Sequence, residues 1–333
     1  MKVYRDFAPT EQCNDINTTI TLGTFDGVHI GHQFILDKVI SNTKKSKELS
    51  AVVTFDRHPA SVLKSGSSPK LLTTLDEKLT LFESIGIDLV YILSFTKQFS
   101  EISPEHFVKN YLVDCMGMSH FVVGYDHSFG KKRSGSINTF EKLAKKYNFT
   151  LEIQKPVACN GITVKSSTIR TKLLDGNVDV ASVLLGKDYS FRGSVVKGHG
   201  IGKKIGVPTA NIAVLDHEKI IPSYGVFAGW LKFENQHKEV VLSIGTSPTF
   251  SKTDETIEAH ILDFEGDLYG MEVRIGFIRK LRNIQNFGTE QALVNQIKKD
   301  IEEVKKTPTR NVFKEGEKIT NGNYERTKKS VCI

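Results

Sequence analysis

Residues Thr18 to His32 read TTITLGTFDGVHIGH. The first seven, Thr18 to Thr24, are β-branched or apolar and read as a strand, and the residues after them open a helix. Gly23, Gly27 and Gly31 let the backbone turn sharply and approach a ligand closely. The helix that begins near Gly31 aims its positive end and free N–H groups into the same space, which makes an anion site. His29 and His32 are three residues apart, so both imidazoles fall on one side of the helix start. There they could donate to phosphate oxygens or neutralise charge on a leaving pyrophosphate. A strand, turn and helix with two incidental histidines is the plainer reading; two His framed by three Gly at a strand's end favour function. Zinc is set aside, because no third ligand of suitable spacing lies nearby.

Outward from this stretch, Ser50–Phe55 (SAVVTF), Leu89–Phe95 (LVYILSF) and Phe121–Gly124 (FVVG) are further apolar runs. Strands without polar alternation suit a parallel sheet covered on both faces. Between them, Thr74-Leu-Asp-Glu77 is a capping box, and Ser103-Pro104 places a cap before a first-turn proline. Repeated strand–helix alternation predicts an open, doubly wound, Rossmann-like α/β domain. After Leu184 the pattern changes to short β-branched segments punctuated by Gly and Pro, such as Gly193–Val196, Gly225–Trp230, Val240–Ile244 and Ile257–Leu262. These predict an all-β barrel or sandwich. One helix follows from Thr289 to about Val304, with Leu293, Ile297 and Ile301 at four-residue spacing. The expected domains are therefore 1–184 (α/β), 185–306 (all-β plus a helix) and 307–333 (a polar, basic tail).

The 333 residues suit two domains, and 39% hydrophobic with 25% charged residues excludes a disordered chain. Four scattered cysteines, Cys13, Cys115, Cys159 and Cys332, exclude a disulfide-built secreted scaffold or a CxxC redox pair. The absence of a leader-like or bilayer-length apolar run points to a cytoplasmic protein. A net charge of +7 is compatible with anionic ligands and no more, because the basic residues lie in mixed-sign clusters.

GTFDGVHIGH is similar to the HxGH signature of the nucleotidyltransferases, in the GxFDGxHxGH form of prokaryotic FAD synthetases. Thr54–Pro59 (TFDRHP) resembles that family's TFDPHP loop. Gly124–Gly130 with Arg133 and Gly135 resembles its GxDFxFGxxRxG segment, and Ser166–Arg170 (SSTIR) its SSTxIR motif. Without the resemblance, Ser166 and Ser167 would be plain helix-capping residues; Arg170, one turn in, could grip phosphate bidentately. The resemblance implies that Gly23, Phe25, Asp26, His29, Gly31, His32, Ser166, Ser167 and Arg170 serve ATP, with His29, His32 and Arg170 acting in catalysis. It also implies that His58, Pro59 and Asp126 lie near the flavin. Lys165 stands where the family usually has Ser, and His127-Ser128 replaces an aromatic–basic pair, departures that touch the flavin contacts more than the chemistry.

A second constellation, Gly193–Asn211, reads GSVVKGHGIGKKIGVPTAN. Gly198 and Gly202 are one residue too close for a Walker-type loop, and Lys204 stands where Ser or Thr is required. Glycine-freed N–H groups with Lys203 and Lys204 nevertheless have phosphate-loop chemistry. Thr209 and Asn211, two apart, share one strand face and suit a hard cation such as Mg²⁺. Glu258 and His260 alternate onto one face in the same way. Alone, the stretch reads as a Gly-rich hairpin and Glu258 as a solvated side chain.

GKKIGVPTAN is similar to the riboflavin kinase motif GRxxGxPTAN. Ile244–Phe250, Ile257–Phe264 with Asp267–Gly270, and Arg279–Phe287 resemble that family's remaining motifs in order. The resemblance implies that Glu258 is the general base for the ribityl hydroxyl, that Thr209 and Asn211 hold Mg²⁺, that Gly198 and Lys203 contact ATP, and that Arg282 contacts flavin. The chain as a whole resembles bifunctional riboflavin kinase/FMN adenylyltransferases. ATP would convert riboflavin to FMN in the C-terminal half, and a second ATP would convert FMN to FAD in the N-terminal half. The implied partners are riboflavin, FMN and ATP, without nucleic acid or membrane, for a monomer or weak homo-oligomer. Two rivals stay open: an HxGH nucleotidyltransferase with another substrate, and a catalytically silent flavin- or nucleic-acid-binding regulator, which salt-dependent retention on nucleic acid would reveal.

Overall fold

The computed structural model describes residues 1–5, 17–63, 68–127, 129–130, 135–198, 202, 206–246 and 255–307. The chain divides into two compact units, the first running from Met1 to Lys165 and the second starting at Ser166.

In the first unit a six-stranded sheet is parallel throughout. Its strands are β1 (Lys2–Arg5), β2 (Thr18–Leu22), β3 (Leu49–Phe55), β4 (Leu89–Leu93), β5 (Met118–Gly124) and β6 (Thr150–Gln154), in the order β1-β4-β3-β2-β5-β6. β2 and β4 are buried along their whole length, as continuous apolar strands between two helical layers must be. Side chains alternate between the faces. Val52, Val90 and Ile92 join Phe25, Leu36 and Phe82 on one side, bringing in helices α1 (Ile30–Ser46) and α3 (Leu75–Ile85). Ile20, Val53, Tyr91 and Phe121 join Phe107, Leu112 and Phe140 on the other. There pack a π-helical stretch, Phe107–Cys115, and helix α6 (Ile137–Tyr147).

The chain steps from β2 outward to β3 and β4, then returns to place β5 and β6 on the other side of β2. That reversal opens a crevice at the carboxyl ends of β2 and β5, where open α/β sheets bind ligands. The predicted caps form as expected. Thr74 accepts from the Glu77 N–H while Glu77 accepts from the Thr74 N–H, and Ser103 accepts from the His106 N–H.

The second unit begins with two helices, α7 (Ser166–Leu174) and α8 (Val178–Leu185). A closed six-stranded barrel follows: β9 (Tyr189–Val196), β10 (Ala210–Val214), β11 (Gly225–Phe233), β12 (Gln236–Thr246), β13 (Glu255–Ile261) and β14 (Glu272–Arg282). All neighbouring pairs are antiparallel, and β9 paired to β10 closes the ring, which removes exposed edges. Phe191, Phe227 and Phe277 fill the interior. Trp230 lies across Gly276, where any Cβ would collide with the indole, and its Nε1–H donates to Asp188 at 3.0 Å.

Helix α9 (Glu290–Lys306) starts from Thr289, which caps it by accepting the Ala292 N–H. Its predicted apolar stripe is only half-buried; the buried positions are Asp300 and Val304. Val304 packs on Val226, Ala228, Val241 and Leu262, while Asp300 is drawn inward by Arg282.

Candidate active sites

In the first unit, β2 ends at Leu22 and Gly23 still donates its N–H to the Val53 carbonyl at 3.0 Å. The turn that follows carries two non-glycine residues at positive φ, Phe25 (48°) and Val28 (42°), around Gly27 (88°). For a β-branched residue this is a true outlier, costing about 1–3 kcal/mol, and such conformations persist where surrounding bonds over-determine them. Asp26 supplies those bonds. Its buried carboxylate accepts the Leu72 and Thr73 N–H groups, each at 3.0 Å, and the Thr73 hydroxyl at 3.4 Å, while the Gly27 N–H donates to Thr73 Oγ1 at 2.9 Å.

His29 is the N-cap of α1: its Nδ1 accepts the His32 N–H at 3.2 Å. The two rings stack, with centroids 3.6 Å apart and planes 14° from parallel, so both imidazoles do share one side of the helix start. The Phe25 ring meets His32 edge-on at 5.1 Å. His32 Nδ1 is shut off from solvent and has no hydrogen-bond partner among the described residues. Burial first, then His29 and Lys78, hold the His32 pKa well below the usual imidazole value, so this ring is neutral near pH 7.

Thr54, His58 and Asp126 lie at the same carboxyl edge of the sheet, at or just past the ends of β3 and β5. Thr54 adjoins the turn through its hydroxyl, 3.4 Å from the Thr24 carbonyl. His58 Nδ1 accepts the Ala60 N–H at 3.1 Å at the start of α2 (Pro59–Leu63). Asp126 follows the end of β5; its carboxylate and Ile35 of α1 both lie about a van der Waals contact from where a Cβ on Gly124 would sit. A Cβ on Gly31 would press on the His29 ring at 3.3 Å. Ser166, Ser167 and Arg170 form the first turns of α7, in the second unit. Sequence reasoning missed Thr73 and Lys78, which reach the turn from 46 to 54 residues away.

In the second unit Asn211 and Glu258 are directly paired across β10 and β13. Thr209, one residue before β10, places its hydroxyl 3.4 Å from Glu258 Oε2. His260, on the same face of β13 as Glu258, bonds through Nδ1 to the Pro208 carbonyl at 2.8 Å. A Cβ on Gly198 would collide with the Asn211 amide, and one on Gly202 would collide with the Val207 carbonyl. The glycines are there because the backbone passes directly over these groups. Lys203 lies outside the described residues. Arg282 is committed to α9: Nε and Nη2 reach the Asp300 carboxylate at 3.1 and 2.8 Å, and the guanidinium lies 5.6 Å from the centre of the Phe287 ring.

Residues 11–168 match the family model for FAD synthetase, and residues 185–307 match that for riboflavin kinase. A bifunctional riboflavin kinase/FMN adenylyltransferase of Buchnera aphidicola is 35% identical over 92% of this chain and 98% of its own. One from Listeria monocytogenes is 37% identical over 87% of this chain and 92% of its own. The chain belongs to the bifunctional riboflavin kinase/FMN adenylyltransferase family. It is thus an enzyme of two transferase activities, with the adenylyltransferase in the N-terminal half and the kinase in the C-terminal half. Both family resemblances read from the sequence hold, as does the pairing of a parallel α/β domain with a β-barrel. A crystal structure of a Streptococcus pneumoniae protein described as a macrolide-efflux protein aligns with a TM-score of 0.85 and 28% identity, covering 93% of this chain and all of that one. Efflux is that protein's description; no helix among the residues described here is long and apolar enough to cross a membrane.

Proposed function

We propose that the Asn211–Glu258–Thr209 cluster is the phosphoryl-transfer centre and the His29–His32 stack the adenylyl-transfer centre. The observation supporting the first is the register of β10 on β13, which sets a carboxylate against a hydroxyl and an amide. Glu258 takes the proton of the ribityl 5′-hydroxyl as that oxygen bonds to the γ-phosphorus of ATP and ADP departs. Thr209 Oγ1 and the Asn211 amide oxygen are hard oxygen donors beneath a backbone cradle that only Gly198 permits, a pair suited to Mg²⁺ with phosphate oxygens and water. When bound, Mg²⁺ neutralises polyphosphate charge. Gly198 lines the ATP path, Lys203 is given to ATP by the family resemblance alone, and Arg282, fixed by Asp300, contacts flavin.

In the first half, the FMN phosphate attacks the α-phosphorus of ATP in line and expels pyrophosphate, with no covalent enzyme intermediate. His29 and His32 meet the departing charge, and the family resemblance gives Arg170 a part in the same step. Gly23, Phe25, Asp26 and Gly31 shape the ATP cradle, Ser166 and Ser167 bind phosphate, and His58, Pro59 and Asp126 face the flavin. In this reading Ser166–Arg170 serves the first activity, so the functional boundary falls at 184/185, at the C-terminal end of α8, with 307–333 as a tail. The enzyme works on small molecules as a monomer or weak homo-oligomer in the cytoplasm.

The test is a chromatographic time course of riboflavin, FMN and FAD with ATP and Mg²⁺. Glu258→Ala should abolish FMN formation while FAD still forms from supplied FMN. His29→Ala/His32→Ala should let FMN accumulate without FAD. FAD formation at the native rate in the double variant would refute the adenylyl assignment.

A further inference from the structure

Lys78 is a cation on α3 that no motif singled out, and its side chain is buried at the HxGH turn. Its Nζ donates to the Thr24 carbonyl at 3.1 Å, immediately before the strained Phe25. The carboxylates of Asp26, in the turn, and Asp56, just past the end of β3, both favour its charged form against the burial that opposes it. Its charge is also felt at His32. A buried ammonium is costly unless its surroundings compensate it, and lysine is placed in such sites where a point charge is needed.

We propose that Lys78 is a positioning residue of the adenylyl-transfer site: through Thr24 and Asp26 it holds the 23–29 turn in its positive-φ conformation, and through its charge it keeps the cradle receptive to a polyphosphate beside His32. This rests on the assignment of adenylyl transfer to that turn. The charges that meet there are Asp26 and Asp56 on one side and Lys78 on the other, with Arg57 paired to Asp56 at 3.3 Å and with His29 and His32 of the turn and the start of α1. Without Lys78, Asp26 and Asp56 (the latter also paired with Arg57) would lose a buried cation beside the space where an anionic ATP must enter. Desolvated like charges are strongly unfavourable at such range. Thr74, which caps α3, fixes where Lys78 emerges one turn later, so the capping box and the cation work as one device.

The experiment uses the full-length enzyme with Lys78→Met, Lys78→Arg and His32→Ala, measuring kcat and KM for ATP in FAD formation from FMN. Riboflavin kinase activity of each preparation reports the second unit independently. Lys78→Met should lower kcat for FAD formation about a hundredfold, the scale of losing one fixed electrostatic group, with FMN formation unchanged. In NMR of ¹⁵N-histidine-labelled enzyme, His32 should titrate at higher pH once the neighbouring cation is gone; loosened packing would raise it too, because burial is the larger cause, so the charge-retaining arginine variant separates the two. Lys78→Arg should recover most of the rate and return the His32 titration toward native. If Lys78→Met fails to fold, the arginine variant decides alone: an unshifted His32 titration with near-native kcat supports the proposal, and a shifted titration overturns it. FAD formation within twofold of native in folded Lys78→Met also overturns it. Native-like FAD formation in His32→Ala would instead overturn the underlying site assignment.

Discussion

His29 caps the helix that carries His32, with Nδ1 accepting the His32 N–H at 3.2 Å and the two rings stacked at 3.6 Å. One residue therefore orients the other, and the cap exists only while His29 Nδ1 is unprotonated, since an imidazolium has no acceptor. A pair of charged rings at that separation would also repel. His32, whose pKa burial and its neighbours hold well below the usual imidazole value, is the neutral member that this cap orients.

Acid should therefore weaken the first unit earlier than carboxylate titration explains. The folded-state pKa of His32 is depressed. Above the unfolded value of about 6.5 both states are neutral and His32 adds no pH dependence. Below it, the unfolded chain binds a proton that the folded chain refuses, so stability falls with pH until the folded pKa is reached. Thermal melts of the N-terminal transition between pH 7.5 and 5 should show this slope in the native enzyme and a shallower one in His32→Asn. Equal slopes would remove His32 from the account. Glu48 and Glu152, whose pKa values are lowered mainly by hydrogen bonds against opposing burial, lose their contributions only at lower pH, in the carboxylate range.

Asp26 is the anchor of the strained turn, and Asp26→Asn tests it. The amide would turn one NH₂ toward donors at Leu72 and Thr73 or leave a buried N–H unpaired, either of which costs about 1–3 kcal/mol. The expected outcome is a lowered melting temperature for the N-terminal transition and FAD formation down at least tenfold, with the riboflavin kinase rate unchanged. Full FAD formation in the variant would mean that the turn keeps its shape without the carboxylate.

How much of this was legible beforehand follows from range along the chain. The turn, its two histidines and the caps at Thr74 and Ser103 are local, so residues within four positions announce them. Lys78 and Thr73 were invisible because their contacts run 46 to 54 residues back to the turn. Helix α8 went unread because VDVASVLL is too short and too uniformly apolar to separate a helix from a buried strand. Asp300 was hidden by the apolar spacing of Leu293, Ile297 and Ile301, which marks a face but carries no information about an arginine on another strand. Asn211 and Glu258 were each noticed, yet only the register of β10 on β13 makes them neighbours.

Gly198→Ala should separate the two activities. Its Cβ would occupy the space of the amide of Asn211, the residue paired with Glu258 across β10 and β13, so that amide must move. Displacing that amide by about 1 Å should cost on the order of a hundredfold in FMN formation. FAD formation from supplied FMN should be unchanged. A native kinase rate in Gly198→Ala would mean that Asn211 is not held as tightly as the close approach requires.

Arg282 and Asp300 make the final test. Both are largely buried, at 16% and 5% side-chain exposure, and the Asp300 carboxylate also accepts from Gln296 Nε2 at 3.0 Å. Removing one partner of such a pair leaves the other charge uncompensated, typically at about 3 kcal/mol or more. Asp300→Ala should therefore destabilise the barrel unit by roughly that amount. It should also free the guanidinium from its place beside Phe287, raising KM for riboflavin more than it lowers kcat. Arg282→Leu/Asp300→Leu, which removes both charges, should recover much of the stability and none of the riboflavin affinity. Recovery of both would show that the pair is purely structural and that Arg282 has no part in holding flavin; recovery of stability alone would separate the arginine's two roles.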